Sequence, residues 1–212
     1  MATSTLDGAG DVVATYDMAG VSLGEVRAAA AAFVGDIEQV PPMVSAVKVG
    51  GRRLHELARA GVEVERAPRR VTVTRLDVEE GPDPGTVRIA VDCSSGTYVR
   101  TLAADLGTAL GGGAHLRRLR RTAVGPFTVD MASSVEDLSP ATVLPPAAAL
   151  SGYPQETVDD DTAAAVAHGA VLDDRGWEGE GPWAVLDLAG ELLAVYERRP
   201  DGRVKPQVVM AG

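Results

Sequence analysis

Two apolar runs separated by a compulsory reversal constrain this chain more than anything else in it. Arg70–Val78 carries Val71, Val73 and Leu76, and Thr86–Cys93 carries Val87, Ile89, Val91 and Cys93. Side chains in a strand alternate faces, so a period near two gives each run one apolar face. Between the runs, Gly81-Pro82-Asp83-Pro84-Gly85 cannot extend either strand, because prolines lack the amide donor and glycines favour a reversed backbone. The pattern predicts a β-hairpin. An isolated hairpin is marginal in water, so further elements must cover its apolar face.

The neighbouring segments supply them. Ser22-Leu23-Gly24-Glu25 is a capping box, opening an Ala-rich helix with Val26 and Phe33 on its buried side that ends near Gly35. Thr101–Leu110 places Leu102, Leu106 and Leu110 at helical spacing and is stopped by Gly111-Gly112-Gly113. A shorter amphipathic helix is predicted over Arg53–Ala60, closed by Gly61. Before it, Pro41-Pro42 forbids helix and predicts an extended, surface-exposed loop. Near the start, Asp7-Gly8-Ala9-Gly10 predicts a turn between extended segments.

Ser139–Pro154, rich in Pro and Ala, reads as a linker and divides the chain into a domain at 1–149 and a module at 150–212. Within the module an acidic start and Gly169 bracket a helix over Asp160–His168. Strand-like runs follow at Trp183–Leu188, Leu192–Glu197 and Lys205–Met210. A unit of this size buries little by itself, so it is expected to dock on the first part. The fold class is α+β, with a small β-rich C-terminal module.

Composition excludes several functions. No apolar run reaches the ~18 residues a membrane helix needs, and no N-terminal pattern reads as a secretory signal. One cysteine, Cys93, rules out an intramolecular disulfide framework. His55, His115 and His168 lack metal-ligand spacing, so no metal is expected. A cytoplasmic protein without membrane contact is the expectation. The net charge of −10 hides an asymmetry: Lys48–Arg121 holds 14 Lys+Arg against 9 Asp+Glu, a balance of +5, while the remainder stands at −15. A basic middle between acidic flanks suits a polyanion. Arg52, Arg53, Arg59, Arg66, Arg69 and Arg70 equally fit solvated surfaces. Arg117, Arg118, Arg120 and Arg121 fit that role less well, because four guanidinium groups within five positions repel unless an anion answers them.

The most unusual stretch is CSSGTYVRTLAADLGTALGGGAHLRRLRRTAVGPF, residues 93–127. Ser94-Ser95-Gly96-Thr97 breaks the strand and feeds the next helix. Tyr98 and Arg100 are two apart, so in extended backbone they face one way and make a small polar site. Read alone, Tyr98 fits a core aromatic with a satisfied hydroxyl better than a ligand-facing one. His115 alone fits a loop histidine bonded to backbone. Leu116 and Leu119 are expected inward, with the arginines fanning outward.

This stretch resembles the bacterial tRNA pseudouridine-55 synthases (TruB family), which carry C-S-x-G-T-Y-I/V-R-S/T-L…DLG…LG-x-G-A-H-L/V…LRR-T/L-x-V/S-G-x-F/Y. Upstream, GDIEQVPPMVSAVKVGGRRLHELARAGVEVERAPRRV is similar to the family's G-x-I/F-x-Q-x-P-P-x-Y/F-S-A loop and strand. The opening TLDGAGDVV resembles its T-D-T-x-D-x-x-G turn, and the last sixty residues are similar to a PUA or PUA-like module. Val44 and His55 stand where the family usually has aromatics.

The resemblance implies a pseudouridine-synthase mixed or antiparallel sheet and a cofactor-free reaction on the tRNA T arm. Uracil is everted, detached from C1′ by an Asp, rotated and rejoined through C5. Tyr98 would pack on the uracil near C5, Arg100 would pair with the nucleophilic Asp, and Leu119 would close the base pocket. Lys48, Arg52, Arg53, Arg117, Arg118, Arg120 and Arg121 would bind RNA. The family's nucleophile lies in a G-x-L-D-x-x-A-S/T-G-x-L segment that residues 1–212 do not contain; Asp7 aligns with the turn aspartate and Asp11 with nothing catalytic. The expectation is therefore an N-terminally truncated, inactive chain with an incomplete sheet. Arg100 would be an unpaired cation, and an open sheet edge would invite self-association. The alternative is a non-catalytic tRNA-binding protein that keeps the synthase scaffold.

Overall fold

In the computed structural model the expected hairpin forms two strands of a three-stranded antiparallel sheet. The described residues are 1–45, 47–62, 64–174 and 176–210, with only the backbone described at Val49 and His55. They part into two compact units, Met1–Leu119 and Arg120–Gly212.

The first unit opens with an antiparallel pair, β1 (Ala2–Thr3) and β2 (Val12–Ala14), around the turn at Asp7–Gly10. Helix α1 (Leu23–Ala31) follows, and its capping box is formed: Ser22 Oγ accepts from the Glu25 amide at 3.3 Å, and Glu25 Oε2 accepts from the Ser22 amide at 2.8 Å. Then come β3 (Gly35–Gln39), the short pair β4 (Lys48–Val49) and β5 (Arg52–Arg53), and α2 (Leu54–Arg59). Strands β6 (Arg69–Glu80) and β7 (Val87–Cys93) form the hairpin and lead into α3 (Val99–Ala109). The sheet is antiparallel in the order β3-β6-β7, with Gly35 opposite Val73 and Val73 opposite Cys93.

Val71, Val73 and Val78 of β6 are buried, and α1 packs Val26 and Ala30 against Val78 and Leu106 of α3. The chain returns past α3 at Gly107, where a methyl group would overlap the Ala114 amide nitrogen. Only glycine permits that approach. One expectation fails here: Pro41 and Pro42 are buried, not surface-exposed. The reason is that the Pro41 carbonyl accepts from Arg66 Nη1 at 3.1 Å, so its main-chain polarity is satisfied inside.

In the second unit β8 (Ala123–Val124) and β9 (Phe127–Thr128) pair around Gly125. The stretch expected as a linker contains single turns of 3-10 helix at Pro140–Thr142 and Pro146–Leu150. Strand β10 (Gln155–Thr157) and helix α4 (Asp160–Ala167) precede β11 (Trp183–Leu186), β12 (Leu192–Arg198) and β13 (Val204–Val209). The sheet order is β10-β11-β12-β13, with β10 parallel to β11. Val166 of α4 packs on Trp183, Val185, Ala194, Tyr196 and Val204, all buried. Two large aromatics in that cluster contribute about 1.5–3 kcal/mol each, so this unit holds a core of its own, contrary to the expectation that it buries little. Among the described residues no helix is long and apolar enough to cross a membrane.

Candidate functional site

The loop from β7 to α3 is fixed at both ends. At its start the Ser94 amide donates to the Thr72 carbonyl at 2.8 Å, and Ser94 Oγ accepts from the Thr72 amide at 2.9 Å. Gly96 then takes a φ of 83°, a conformation that suits glycine. At its end the buried side chain of Gln39, at the tip of β3, bonds the main chain of Tyr98. Tyr98 is the N-cap of α3, with extended backbone and no side-chain cap of its own. Its side chain is half-buried, and among the described residues its hydroxyl has no hydrogen-bond partner, unlike the satisfied core tyrosine that the residue alone suggested.

Arg100 lies in the first turn of α3, not in the extended backbone assumed from the sequence. Helix begins at Val99 because the loop is already anchored at Tyr98. Nor is Arg100 unpaired: its Nε lies 2.8 Å from Asp7 Oδ2. Asp7 is shaped for this contact. Its Oδ1 accepts from Thr5 Oγ1 at 2.6 Å and from the Ala9 amide at 3.1 Å, which leaves Oδ2 for the guanidinium. The Thr5 hydroxyl first, and then the Ala9 amide and Arg100, hold the Asp7 carboxyl below its usual value against the opposing effect of burial. The Asp7 turn is tied to the segment after α3, since the Leu116 amide donates to the Leu6 carbonyl and the Gly8 amide to the Leu116 carbonyl, both at 2.9 Å.

The basic residues divide. Lys48, Arg52 and Arg53 are exposed on the β4–β5 pair. Arg117 is exposed but closed on Asp83 of the hairpin turn, so one member of the arginine quartet is answered from within the protein. Arg118 is exposed with no carboxylate within ion-pair distance among the described residues. Arg120 and Arg121 are exposed at the start of the second unit. Leu119 is 59% exposed, not inward, because no strand or helix holds residues 117–120 against a core. His115 bonds backbone as expected, with Nδ1 3.2 Å from the Met1 carbonyl oxygen. The His55 side chain lies outside the described residues. Sequence reasoning missed Asp7 and Gln39 as members of the site. Their signal was faint: a turn aspartate between Thr5 and Gly8, and a glutamine just before two prolines.

Residues 1–99 match the TruB family pseudouridylate synthase (N terminal domain), and residues 100–149 match the tRNA pseudouridylate synthase B C-terminal domain. The chain belongs to the TruB family. Relatives within that family include tRNA pseudouridine synthase B of Symbiobacterium thermophilum, 56% identical over 174 residues, covering 80% of this chain and 58% of that protein. The tRNA pseudouridine synthase B of Rhodococcus jostii is 46% identical over 205 residues, covering 93% of this chain and 67% of that protein. The chain therefore spans between 58% and 67% of the length of these two TruB relatives. Among solved structures, a chain of a Cbf5-Nop10-Gar1 complex superposes with a TM-score of 0.66 at 27% identity, covering 84% of this chain and 56% of that one. A chain of an H/ACA RNP bound to a substrate RNA containing 2'-deoxyuridine shares the fold, with a TM-score of 0.68 at 22% identity, covering 91% of this chain and 62% of that one. The α+β TruB fold expected from the sequence is the one observed.

Proposed function

We propose that this chain grips the T arm of tRNA and presents the base-facing half of a pseudouridine-55 synthase site. The observation that carries the reading is Arg100, whose Nε lies 2.8 Å from Asp7 Oδ2. A guanidinium has five donors, more than one carboxylate can take up, so Arg100 keeps donors for a second carboxylate or a phosphate. Tyr98, two residues earlier, offers an aromatic face and a hydroxyl without a hydrogen-bond partner among the described residues.

In this reading the reaction is an isomerisation that balances within the substrate. The C1′–N1 bond breaks, the base rotates, the C1′–C5 bond forms, and the C5 proton is lost as N1 gains one. Eversion is required because the glycosidic bond is inaccessible within a stacked loop. Tyr98 packs on the base and relays the proton from C5, passing its own hydroxyl proton to solvent as it takes that one up. Leu119 borders the base, and Lys48, Arg52, Arg53, Arg118, Arg120 and Arg121 hold phosphates. Residues 150–212 serve as the PUA-like RNA-binding module. Arg100 aims the attacking carboxylate, for which residues 1–212 contain no G-x-L-D-x-x-A-S/T-G segment.

The test uses a T-arm hairpin tritiated at uridine C5, with binding and tritium release followed together. Salt-sensitive binding without tritium release is expected of the 212-residue chain. Release at an enzymatic rate would refute the assignment of the missing carboxylate. Absence of binding at low salt would refute the RNA reading itself.

A further inference from the structure

Gln39 ends β3 and is 1% exposed. A primary amide buried without partners costs about 1–3 kcal/mol per unmade bond, so its contacts matter. Both polar atoms go to one residue. Oε1 accepts from the Tyr98 N–H at 2.9 Å, and Nε2 donates to the Tyr98 carbonyl at 3.3 Å. That carbonyl also accepts the first helical bond of α3, from the Leu102 amide at 3.0 Å.

Gln39 therefore holds the main chain on both sides of the Tyr98 α-carbon, where φ is −96° and ψ is 97°. The other end of the loop is held at Ser94 by Thr72. Only Ser95, Gly96 and Thr97 lie between the two anchors. Because α3 starts at the next residue, whatever fixes Tyr98 also fixes the register that brings Arg100 to Asp7.

We infer that Gln39 is a positioning residue whose carboxamide, clamped on the Tyr98 main chain, sets the start of α3 and so the placement of Tyr98 and Arg100 in the site. The inference rests on the reading of those two residues given under Proposed function. Glutamate cannot substitute. Gln39→Glu keeps an acceptor for the Tyr98 N–H but loses the donor and sets a carboxylate oxygen against the Tyr98 carbonyl. Gln39→Leu removes both bonds.

Isotope-edited NMR of the full chain tests the idea, following the Tyr98 amide and the Arg100 Nε–H, with the Val71 and Val73 amides of β6 as fold controls. In Gln39→Glu the controls are expected to stay in place, the Tyr98 amide to shift, and Arg100 Nε–H exchange with water to quicken about tenfold, as loss of one net hydrogen bond would give. Affinity for the T-arm hairpin, measured on the same sample, should fall by a similar factor. Unchanged Tyr98 and Arg100 signals with intact controls would overturn the inference. Collapse of the controls in both variants would overturn it too, leaving Gln39 as a core residue only. If the unsubstituted chain binds no T-arm RNA, the functional reading fails while the NMR result still decides the positioning role.

Discussion

Asp7 Oδ2 and Arg100 Nε lie 2.8 Å apart, joining the turn between β1 and β2 to the first turn of α3. The contact gives the guanidinium a fixed anchor while its helix is anchored independently at Tyr98. Arg100 is 42% exposed and Asp7 16%, so solvent screens the pair and its net contribution is about 0.5–1 kcal/mol. Asp7→Asn should lower the stability of the first unit by about that amount, read as a shift in the urea midpoint at constant slope. A double-mutant cycle with Arg100→Gln should show coupling between the two sites. Additive losses would mean that the pair is incidental.

The same carboxylate predicts an acid response. The folded-state value of Asp7 lies below its ordinary 3.8, owing first to the Thr5 hydroxyl and further to Ala9 and Arg100. A depressed folded pKa adds stability above the unfolded value, and that stability is lost as pH falls through the folded value. Stability should therefore decline below about pH 4, and Asp7→Asn should make the decline shallower. The slope will not vanish, because Asp92 and Asp174 are also held low, chiefly by Arg75 and Arg198. An unchanged acid slope in Asp7→Asn would contradict this account.

Asp83 occupies the Arg117 guanidinium in the absence of RNA. Asp83→Ala should release it for phosphate, raising T-arm affinity and steepening the dependence of log K on log salt by about 0.7–0.9. Arg118→Ala, which removes a guanidinium with no carboxylate partner among the described residues, should make the slope shallower by a similar amount. Filter binding at a series of salt concentrations reads both. Equal slopes in the two variants would place these arginines away from the RNA.

Gly107→Ala sets two effects against each other. Alanine favours a helix interior by about 1 kcal/mol, but its methyl would overlap the Ala114 amide nitrogen, where backbone cannot yield cheaply. Overpacking of this kind costs about 1–3 kcal/mol, so the net effect should be destabilising. Thermal unfolding followed by circular dichroism checks the sign.

Both tryptophans, Trp177 and Trp183, lie in the second unit, so their fluorescence reports that unit. Tyr196 is buried with its ring 5.7 Å from that of Trp177, and its hydroxyl donates to the Ala170 carbonyl at 2.8 Å. Tyr196→Phe should cost about 1–3 kcal/mol by leaving that carbonyl without its donor. The fluorescence transition should move to lower denaturant accordingly.

By itself the sequence determined what short-range chemistry controls. The two prolines and two glycines at 81–85 forced the hairpin, Ser22 and Glu25 forced the start of α1, and the Leu102–Leu106 spacing forced α3, since each signal acts within a turn or along one face. Its specific motifs also marked the family and the residues Tyr98 and Arg100. Tertiary structure alone decided their partners. No local pattern says that Asp7 reaches Arg100, that Gln39 clamps Tyr98, that Asp83 covers Arg117, or that Pro41 is buried while Leu119 is not. Those contacts join residues far apart in the chain, and their free energy depends on burial and geometry that exist only once the sheet and helices have packed.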